Sequence, residues 1–516
     1  MTNDDRRVAV VGAGPAGLVG ARFLKARGFE PVLFDRGRHV GGQWDQTAAA
    51  SGIWPDMRAN TSRTLTRFSD LDHPAGTAAF PHNHQIRAYL EAYAARFGLL
   101  SAIRFGTTVE QIVRDPAGGY TLTTTDAAGT ESDSTFARVV VASGRYNSPS
   151  APAIDRLETF SGRGGVTHTF NYKAARRLLG ARVLVAGGSI SGLEIASELA
   201  KLGALKVAIA MRRQRYVVPK LIAGVPADNI GFTRFGALAG EAFAPDAIAA
   251  ALKAFLIGAG GNPALFGAPA PADDVFEARI TLCQDYVPLL AEGRLEPRPW
   301  IERVEGQTVW FEDGTSADFD ALIMGTGFKL SLPFLAPGLR DILEVDDAHI
   351  NLADFTFHPD LDGLAFLGLY PLIGPYFPVL ELQARYLAYS WSGAISRATR
   401  AQLIAGVEAC RQGRGGPQGR LMDAMAIRFA RLAGIEPQPA QTPSIARALM
   451  FGPLTATSFR LQGQDALVGA AEVVAREAAC FGAISEPSFT RSERDQLAML
   501  ADARQDAGLA RLVALA

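Results

Sequence analysis

The sequence contains few cysteines: Cys283, Cys410 and Cys480 are the three in 516 residues. They are far apart and odd in number, which argues against a disulfide framework and against a structural zinc site. No two of them form a Cys-x-x-Cys arrangement. The sequence therefore lacks the redox pair that a disulfide oxidoreductase uses.

An excess of one charge is also absent, since 51 Lys and Arg residues face 52 Asp and Glu residues. Proteins that bind nucleic acid usually carry a basic patch or stripe, and no such stripe occurs along this chain. We therefore expect no nucleic-acid partner.

A long uninterrupted apolar run is missing as well. The longest, Leu364 to Leu382, contains Pro371, Pro375, Pro378 and Glu381, so we interpret it as a buried strand followed by a loop. The first seven residues are polar and show no signal or transit peptide pattern. We expect a cytoplasmic protein that does not contact a membrane.

What the sequence does have is abundant glycine, 53 residues, and one glycine-rich pattern that occurs twice. The first copy begins with an apolar strand, Val8 to Val11, followed by a glycine-rich turn and a helix that ends near Gly28. A second strand, Pro31 to Asp35, comes next, and the copy closes on a strand from Arg138 to Ala142. This order is typical of a mononucleotide-binding unit.

The second copy has the same order. A strand from Arg182 to Ala186 precedes a glycine-rich turn and a helix to Leu202, and strands follow at Lys206 to Met211 and Asp320 to Met324. The segment Asp228 to Asp274 is rich in Gly, Ala and Pro, and we interpret it as an insertion that contains a helix over Ala244 to Ile257.

The repeat predicts an α/β fold with two Rossmann-like dinucleotide-binding domains, the second inserted in the first, and a mostly helical C-terminal region. Residues 1–165 form the first part of the first domain, and residues 166–330 form the second domain. The first domain returns over 331–395. Residues 396–516 form the helical region. After Gly374 the chain turns mostly helical, with helices expected at Leu380 to Trp391, Ala401 to Cys410, Leu421 to Leu432 and Ala466 to Cys480.

The first turn has the features that a pyrophosphate requires. Gly12, Gly14 and Gly17 follow a strand and open a helix, so backbone N–H groups and the helix dipole face the phosphates without side chains in the way. Asp35 ends the next strand, 18 residues past Gly17, where a carboxylate binds ribose hydroxyls. The alternative is a plain tight turn.

The second turn differs from the first in two ways. Ser189 replaces the middle glycine, between Gly187 and Gly192, and its hydroxyl is small enough to allow the same approach. The next strand ends in arginines, Arg212 and Arg213, instead of an acid. Because arginine accommodates a ribose 2′-phosphate, this favours NADPH over NADH; the alternative is a solvated basic turn.

Further segments resemble one family. They are Asn60-Thr61-Ser62-Arg63, Phe160-Ser161-Gly162 through His168-Thr169-Phe170-Asn171-Tyr172, Gly325-Thr326-Gly327-Phe328 and Glu381-Leu382-Gln383-Ala384-Arg385. The chain resembles the flavin-containing monooxygenases, which are class B flavoprotein monooxygenases, and among them a soluble microbial type. Two extra residues separate Gly162 from His168, but the spacing from His168 to Tyr172 is that of the family signature.

The resemblance implies FAD at the first turn and NADPH at the second. NADPH reduces the flavin, O2 adds to form a hydroperoxyflavin, and an amine nitrogen or sulfide sulfur of a small substrate takes the distal oxygen. The implied FAD-binding residues are Gly12, Gly14, Pro15, Ala16, Gly17, Asp35, Arg36, Gly42, Gln43, Trp44, Asn60 and Thr61. Thr326, Gly327 and Gln383 are further implied cofactor-binding residues. The implied NADPH-binding residues are Gly187, Gly188, Ser189, Ile190, Ser191, Gly192, Arg212 and Arg213.

Two residues are candidates for catalysis by the same resemblance. Asn60 is placed beside the flavin ring, and the alternative is a helix N-cap. His168 is a catalytic candidate, although we favour a positioning role for it in the linker into the second domain. His82 and His84 are better interpreted as the N-terminal flank of a helix from Gln85 to Phe97 than as metal ligands, and we expect no metal.

Three rival functions stay open. The nearest is a Baeyer–Villiger monooxygenase acting on ketones, although Lys173 follows Tyr172 where such enzymes carry a Trp-containing ending. The others are an FAD/NADPH reductase, which the missing Cys-x-x-Cys disfavours, and a nucleotide-binding redox sensor. The sequence does not identify the substrate. A homodimer is our expectation for the assembly.

Overall fold

The computed structural model describes residues 3–48, 51–416 and 419–515, and it is built on two five-stranded parallel sheets. The strands, in chain order, are β1 (Arg7–Val11), β2 (Glu30–Asp35), β3 (Ile103–Phe105), β4 (Thr108–Arg114), β5 (Tyr120–Thr125), β6 (Glu131–Phe136), β7 (Arg138–Val141), β8 (Ser148–Pro149), β9 (Gly165–His168), β10 (Arg182–Ala186), β11 (Lys206–Ala210), β12 (Tyr216–Val218), β13 (Leu221–Ile222), β14 (Val225–Pro226), β15 (Ile280–Leu282), β16 (Glu296–Arg298), β17 (Ile301–Glu305), β18 (Thr308–Phe311), β19 (Ser316–Asp318), β20 (Ala321–Met324), β21 (Phe328–Lys329), β22 (Leu364–Phe366), β23 (Leu372–Ile373) and β24 (Arg420–Leu421).

The α-helices lie between these strands and fill the C-terminal region. They are α1 (Asn3–Arg6), α2 (Pro15–Ala26), α3 (Asn83–Arg96), α4 (Ile190–Leu202), α5 (Ala227–Gly231), α6 (Arg234–Ala242), α7 (Pro245–Gly260), α8 (Val275–Ala278), α9 (Tyr286–Ala291), α10 (Pro337–Ile342), α11 (Tyr376–Ser392), α12 (Arg400–Gln412), α13 (Met422–Leu432), α14 (Ala446–Phe451), α15 (Ala470–Ala479), α16 (Arg491–Arg504) and α17 (Ala507–Leu515).

The first sheet has the strand order β22-β7-β1-β2-β3. Its central strand, β1, pairs in parallel with β2 and β7, with Val10 opposite Leu33 on one side and Val140 on the other. Its side chains on both faces are buried, in two different hydrophobic clusters. The outer strand β22 comes from a segment more than 200 residues after β7. The chain therefore leaves this sheet and returns to complete it.

The second sheet has the order β16-β11-β10-β20-β9, and all its strands lie between β7 and β22 in the chain. The second Rossmann-like domain is thus inserted in the first, as the repeated pattern predicts. Each sheet is accompanied by a small antiparallel meander, β4-β5-β6 for the first and β17-β18-β19 for the second.

The helix α11 begins four residues earlier than the sequence analysis expects, at Tyr376 instead of Leu380. Pro375 is its N-cap and Pro378 stands in its first turn, where a missing N–H costs nothing because that group has no partner inside the helix. The interpretation of Leu364 to Leu382 as a strand followed by a loop is therefore wrong in its last part.

Burial is nearly complete along α11, which packs against α2 of the first domain through Leu380, Ala384 and Leu387. The helices that follow make two sets of contacts. The helix α13 packs on both α11 and α6 of the insertion, and α14 and α16 pack on α6 as well. The tail therefore covers the first domain, as expected, and also contacts the insertion.

One helical segment, Pro245–Phe266, is long and apolar enough to cross a membrane by length and composition, with a mean hydropathy of 1.3 and 11% of it buried in the structure. Its continuous α-helix, α7, has 16 residues and ends before Gly261, which has a φ of 79°. A helix of that length spans about 24 Å, less than the roughly 30 Å of a bilayer's hydrocarbon core.

Candidate functional site: two nucleotide corners and the loop between them

The first strand-to-helix corner leaves no room for side chains. Gly12 has a φ of 108°, and a Cβ on it would lie 2.6 Å from the carbonyl oxygen of Ala142. A Cβ on Gly17 would lie 1.9 Å from the carbonyl oxygen of Gly12, which shows how closely α2 approaches β1. The corner therefore presents bare backbone at the N-terminus of α2, which suits a pyrophosphate.

The residues expected to line this corner surround it. The Asp35 carboxylate accepts hydrogen bonds from the backbone N–H groups of Ala13 at 2.6 Å and Gly37 at 2.7 Å. It thus lies directly over the glycine turn, with lone pairs left for ribose hydroxyls. Gly42 lies against Gly14, because a Cβ on Gly14 would be 3.6 Å from the Gly42 Cα. A single turn of 3₁₀-helix, Gly42–Trp44, continues from there.

The second corner repeats this geometry. Gly187 has a φ of 126°, and a Cβ on Gly192 would lie 2.1 Å from the carbonyl oxygen of Gly187. Ser189 is the N-cap residue of α4, and its hydroxyl caps no backbone N–H there. The hydroxyl is therefore compatible with contact to a phosphate, which is the role that the sequence predicts for it.

The end of β11 carries the predicted arginines on the surface. Arg212 lies over the ring of Trp300, with its guanidinium carbon 4.6 Å from the ring centroid, and Arg213 is 71% exposed. Stacking holds the planar guanidinium of Arg212 in one orientation while its N–H groups stay available to an anion. Sequence reasoning missed Trp300, which is 88 residues away in the chain and carries no motif.

The segment from Ser51 to Thr66, which follows the first corner in the chain, contacts the second domain. Lys173 donates a hydrogen bond to the carbonyl oxygen of Ser51 at 2.8 Å, and the rings of Trp54 and Tyr172 meet edge to face at 6.0 Å. Asn60 and Thr61 lie on this loop and are half-buried. No helix begins at Asn60, so the N-cap alternative is wrong.

The insertion holds the turn that follows Asn60, a contact that sequence reasoning missed. The backbone N–H of Ser62 donates to the Asp228 carboxylate at 2.6 Å, and the hydroxyls of Ser62 and Thr64 both donate to the Asn229 side-chain oxygen. Burial raises the pKa of Asp228 to about 6, against the lowering effect of the Ser62 hydrogen bonds. The only sequence signal was an Asp-Asn pair at the start of the insertion.

His168 is held by backbone groups through both ring nitrogens. Its Nε2 lies 3.1 Å from the carbonyl oxygen of Gly327, and its Nδ1 accepts a hydrogen bond from the N–H of Phe170 at 3.1 Å. Burial lowers the pKa of His168, which favours the neutral ring that these bonds need. The geometry therefore supports the positioning role, and the catalytic role stays a prediction.

Thr326 and Gly327 lie where the two domains connect. The Thr326 hydroxyl donates to the carbonyl oxygen of Ser150, and the N–H of Ser150 donates to the carbonyl oxygen of Gly327 at 2.9 Å. The adjoining strands β8 and β21 pair antiparallel. Thr326 and Gly327 therefore hold the end of the second domain against the segment at Ser150 that leads out of the first domain. Their contacts with a cofactor stay a prediction.

Gln383 is fully buried in α11, behind Gly368. Its side-chain oxygen accepts from the N–H of Gly368 at 3.0 Å, and its side-chain nitrogen donates to the carbonyl oxygens of Phe355 and Phe366. A Cβ on Gly368 would lie 3.4 Å from the Cβ of Ala16, next to the first corner. The geometry thus gives Gln383 a role in placing Gly368, and direct cofactor contact stays a prediction.

His82 is the N-cap of α3, as expected of a flanking residue. The helix begins at Asn83, two residues earlier than the expected Gln85, so His84 lies in its first turn; the two imidazole rings are 4.3 Å apart. Within the described residues, no group of three or more His, Cys, Asp or Glu side chains is arranged to hold a metal ion.

The sequence profile of the flavin-binding monooxygenase-like family matches residues 5–492, which is nearly the whole chain and includes both corners and the loop between them. The chain belongs to this family. It is therefore a flavin-containing, NADPH-dependent monooxygenase, which acts on a small molecule with O2.

Named relatives of the family align along most of their length. The chain is 27% identical over 496 residues to dimethylaniline monooxygenase [N-oxide-forming] 2 of Oryctolagus cuniculus, and 28% identical over 501 residues to flavin-containing monooxygenase 5 of the same species. Each alignment covers 91% of this chain and 91% of the relative.

Solved structures share the fold. The S-allyl-L-cysteine S-oxygenase of Allium sativum superimposes with a TM-score of 0.61 at 24% identity, covering 83% of this chain and 88% of that one. Cyclohexanone monooxygenase of Rhodococcus sp. Phi1, bound to NADP+, gives a TM-score of 0.63 at 17% identity, covering 83% and 97%. At these identities the likeness establishes the two-domain α/β fold and nothing finer.

The family uses FAD and NADPH, and the residues of this chain fit both. At the first and last glycine of each fingerprint there is no room for a Cβ atom. The corner is therefore bare backbone, as a bound diphosphate needs. The two corners differ at the end of the next strand, where one carries Asp35 and the other Arg212. This difference fits a ribose hydroxyl on one cofactor and a 2′-phosphate on the other.

Proposed function

We propose that this monooxygenase oxygenates a soft nucleophile, an amine nitrogen or a sulfide sulfur, of a small organic substrate. FAD would bind at the first corner and NADPH at the second. When bound, these cofactors supply the redox chemistry by which NADPH reduces the flavin and the flavin activates O2. The residues of the chain bind and orient the two cofactors and shield the reaction from solvent.

The observation that carries the proposal is the segment from Ser51 to Thr66. It follows the first corner in the chain, where Gly42 lies against Gly14, and contacts the second domain at Lys173 and Asp228. Asn60 stands on this loop between the two anchored ends. Its carboxamide can donate to a reacting oxygen without adding a charge, which suits the transfer of oxygen to a neutral amine or sulfide.

The surrounding contacts support a site that keeps its shape. Asp228 and Asn229 fix the turn after Asn60 from one side, and the Lys173 ammonium fixes Ser51 from the other. A catalytic group held from both sides loses little entropy on reaching its reactive geometry. Lys173 also stands where ketone-oxygenating enzymes of the related class carry a Trp-containing ending, which favours heteroatom oxygenation.

The test is oxygenated product measured together with NADPH consumption. The purified protein is given NADPH, O2 and, in separate reactions, a tertiary amine, a dialkyl sulfide or a cyclic ketone. We expect the amine or the sulfide to accelerate NADPH oxidation and to yield N-oxide or sulfoxide in matching amount. Ester formation from the ketone, with no product from the other two, would show a Baeyer–Villiger enzyme instead.

We further propose a soluble, microbial-type member that works in the cytoplasm as a homodimer, without membrane or nucleic-acid partners. The balance of 51 cationic and 52 anionic residues supports the absence of a nucleic-acid partner. The domain limits that we propose are 1–165 with 331–395 for FAD, 166–330 for NADPH and 396–516 for the helical region. Analytical ultracentrifugation of the FAD-loaded protein tests the dimer, since a single monomeric species would contradict it.

A further inference from the structure

Two arginines lie side by side near the end of β11, Arg215 on one segment of the chain and Arg279 on another. The strands β12 and β15 pair in parallel with Tyr216 opposite Ile280, and the N–H of Tyr216 donates to the carbonyl oxygen of Arg279 at 3.1 Å. Arg215 and Arg279 directly precede these paired residues, and neighbouring strands lie about 4.8 Å apart. The fold therefore brings together two cations that are far apart in the sequence.

The described residues provide no anion for this arginine pair. Neither side chain forms an ion pair among them, and Arg215 is half-buried. Burial, followed by the charge of Arg279, lowers the pKa of Arg215, and no carboxylate acts in the opposite direction. Asp273 is paired with Lys253, and Asp274 caps the N-terminus of α8. Since like charges on neighbouring strands are destabilising, an anion from outside the chain would stabilise this arrangement.

The arginine pair lies next to the second nucleotide corner. The end of β11 adjoins that corner, because a Cβ on Gly188 would be 3.2 Å from the sulfur of Met211. Arg213 follows Met211 closely in the chain, and its guanidinium lies 3.8 Å from the Glu277 carboxylate of α8. Arg279 is the C-cap residue of α8, which places the arginine pair beside the strand end where the 2′-phosphate is expected.

At this strand end, Arg212 and Arg213 alone do not balance a 2′-phosphate. A phosphate monoester carries a charge of about −1.5 to −2 at pH 7. Glu277 offsets the charge of Arg213, which leaves Arg212, without an ion pair among the described residues, to meet the phosphate. Arg215 and Arg279 supply two more cations, and planar guanidinium groups bind phosphate oxygens through charge-assisted hydrogen bonds.

We propose, on the basis of NADPH binding at the second corner, that Arg215 and Arg279 complete the site for its 2′-phosphate and add to the preference for NADPH over NADH. Arg279, which follows the insertion in the chain, then belongs to a site that the sequence places wholly at the end of β11. Free phosphate has the same chemistry as the 2′-phosphate, so a test must separate these two sources.

Isothermal titration calorimetry of the FAD-loaded protein measures the binding of NADP+, NAD+ and inorganic phosphate. We expect Arg279→Gly and Arg215→Gln each to weaken NADP+ binding about tenfold or more and to leave NAD+ binding unchanged, because each removes donors to the phosphate. Glycine is chosen at position 279 because it adopts the φ of 65° found there without strain. Inorganic phosphate should bind more weakly than NADP+ and compete with it.

The matched control is Arg177→Gln, which removes an exposed arginine of the same domain away from this strand end and should change none of the three affinities. The double variant Arg212→Ala with Arg213→Ala tests the placement of the cofactor itself. If that variant loses NADP+ affinity while Arg215→Gln and Arg279→Gly keep it, the arginine pair is not part of the site, although the cofactor placement stands. If none of these variants loses affinity, the placement of NADPH fails as well.

Two further outcomes would overturn the role of the arginine pair. One is an equal loss of NADP+ and NAD+ affinity in Arg279→Gly, and the other is phosphate bound by the pair that NADP+ does not displace. Should Arg215→Gln fail to fold, Arg279→Gly still decides the matter, because Arg279 is exposed and its loss leaves the backbone unstrained.

Discussion

Asn60 owes its placement to residues on both sides of it in the chain. Ser51 is tied to Lys173 and Ser62 to Asp228, so the loop cannot move far at either end. This arrangement suggests that removing the carboxamide will affect the chemistry and leave the fold intact. A first prediction follows from that separation.

The variant Asn60→Ala should retain FAD and reduction by NADPH but lose product. We expect oxygenated product per NADPH to fall about tenfold or more, because a donor to a reacting oxygen is gone. Flavin absorbance and product yield are measured on the same sample, with the exposed Asn171→Ala as the control. Unchanged product yield in Asn60→Ala would remove the residue from the reacting centre.

Asp35 is expected to bind a ribose of FAD while it also holds the turn through Ala13 and Gly37. The variant Asp35→Ala should therefore weaken FAD binding by roughly tenfold to a hundredfold, since hydrogen bonds to a charged acceptor are lost. The measurement is the ratio of flavin to protein absorbance after dialysis. Asp126→Ala, which removes a similar turn-holding carboxylate from an exposed hairpin, is the control, and full occupancy in Asp35→Ala would contradict the assignment.

Asp228 predicts a dependence of stability on pH. Its pKa is about 6 in the folded protein and near 3.8 in the unfolded chain, so the folded state binds more protons between these values. The contribution of Asp228 to stability should then fall as pH rises from about 4 to about 6, by up to about 3 kcal/mol, and stay level above. Asp228→Asn keeps an acceptor for the Ser62 N–H and removes the charge.

The thermal unfolding midpoint of Asp228→Asn should therefore depend less on pH than that of the wild type over this window. Burial also raises the pKa of Asp423, to about 7. Asp423→Asn is therefore a matched control, because it removes a different part of the pH dependence of stability. Parallel curves for the wild type and Asp228→Asn would show that Asp228 is not the titrating group.

At the scale of single elements, the end of β11 should decide which nicotinamide cofactor binds. Arg212, stacked on Trp300, and the exposed Arg213 lie at this strand end, where we propose that the 2′-phosphate binds. Replacing both by Ala should raise the KM for NADPH about a hundredfold, since charge-assisted bonds to the phosphate are lost, and should change the KM for NADH little.

The control for this pair is Arg176→Ala with Arg177→Ala. These are two adjacent, exposed arginines of the same domain, away from the end of β11. They match the loss of charge without touching the expected phosphate position. An equal rise in KM for both cofactors in the Arg212 and Arg213 variant would exclude a 2′-phosphate role.

The elements that sequence reasoning placed well are those with a strong local pattern. The strands β1 and β10 are short apolar runs that precede glycine turns, and both are found within one residue of their expected bounds. The helix α11 was misplaced at its start because prolines look like breaks in a sequence, whereas the first turn of a helix tolerates them.

Contacts between distant elements could not be predicted in this way. Trp300 under Arg212, and Asp228 against Ser62, join residues that are 88 and 166 positions apart, and no local spacing encodes such pairs. Only the three-dimensional fold brings them together. Glycine fingerprints succeed for the opposite reason, since strand, turn and helix are contiguous in the chain.

At the scale of the whole molecule, the insertion of one domain in the other follows from reading the repeated pattern twice. The last strand of the first sheet, β22, comes after the second sheet is complete and pairs with β7. The packing of the C-terminal helices on both α11 and α6 has no comparable signal, because an amphipathic helix does not specify its partner.

The whole chain also presents an exposed apolar helix, α7, whose behaviour at a membrane can be predicted. Its 16 residues fall short of a bilayer's hydrocarbon core, and the helix breaks at Gly261. The balanced charge of the chain gives no general attraction to anionic lipid. We therefore expect the protein to stay in solution when it is mixed with lipid vesicles.

Co-sedimentation with phosphatidylcholine vesicles, with and without phosphatidylserine, measures this directly. Most of the protein should remain in the supernatant in both cases, and Phe255→Ser with Ile257→Ser, which makes the exposed face of α7 more polar, should change nothing. If most of the wild type pelleted with the vesicles and the variant did not, α7 would be an interfacial helix. The proposal of a cytoplasmic protein without membrane contact would then have to be given up.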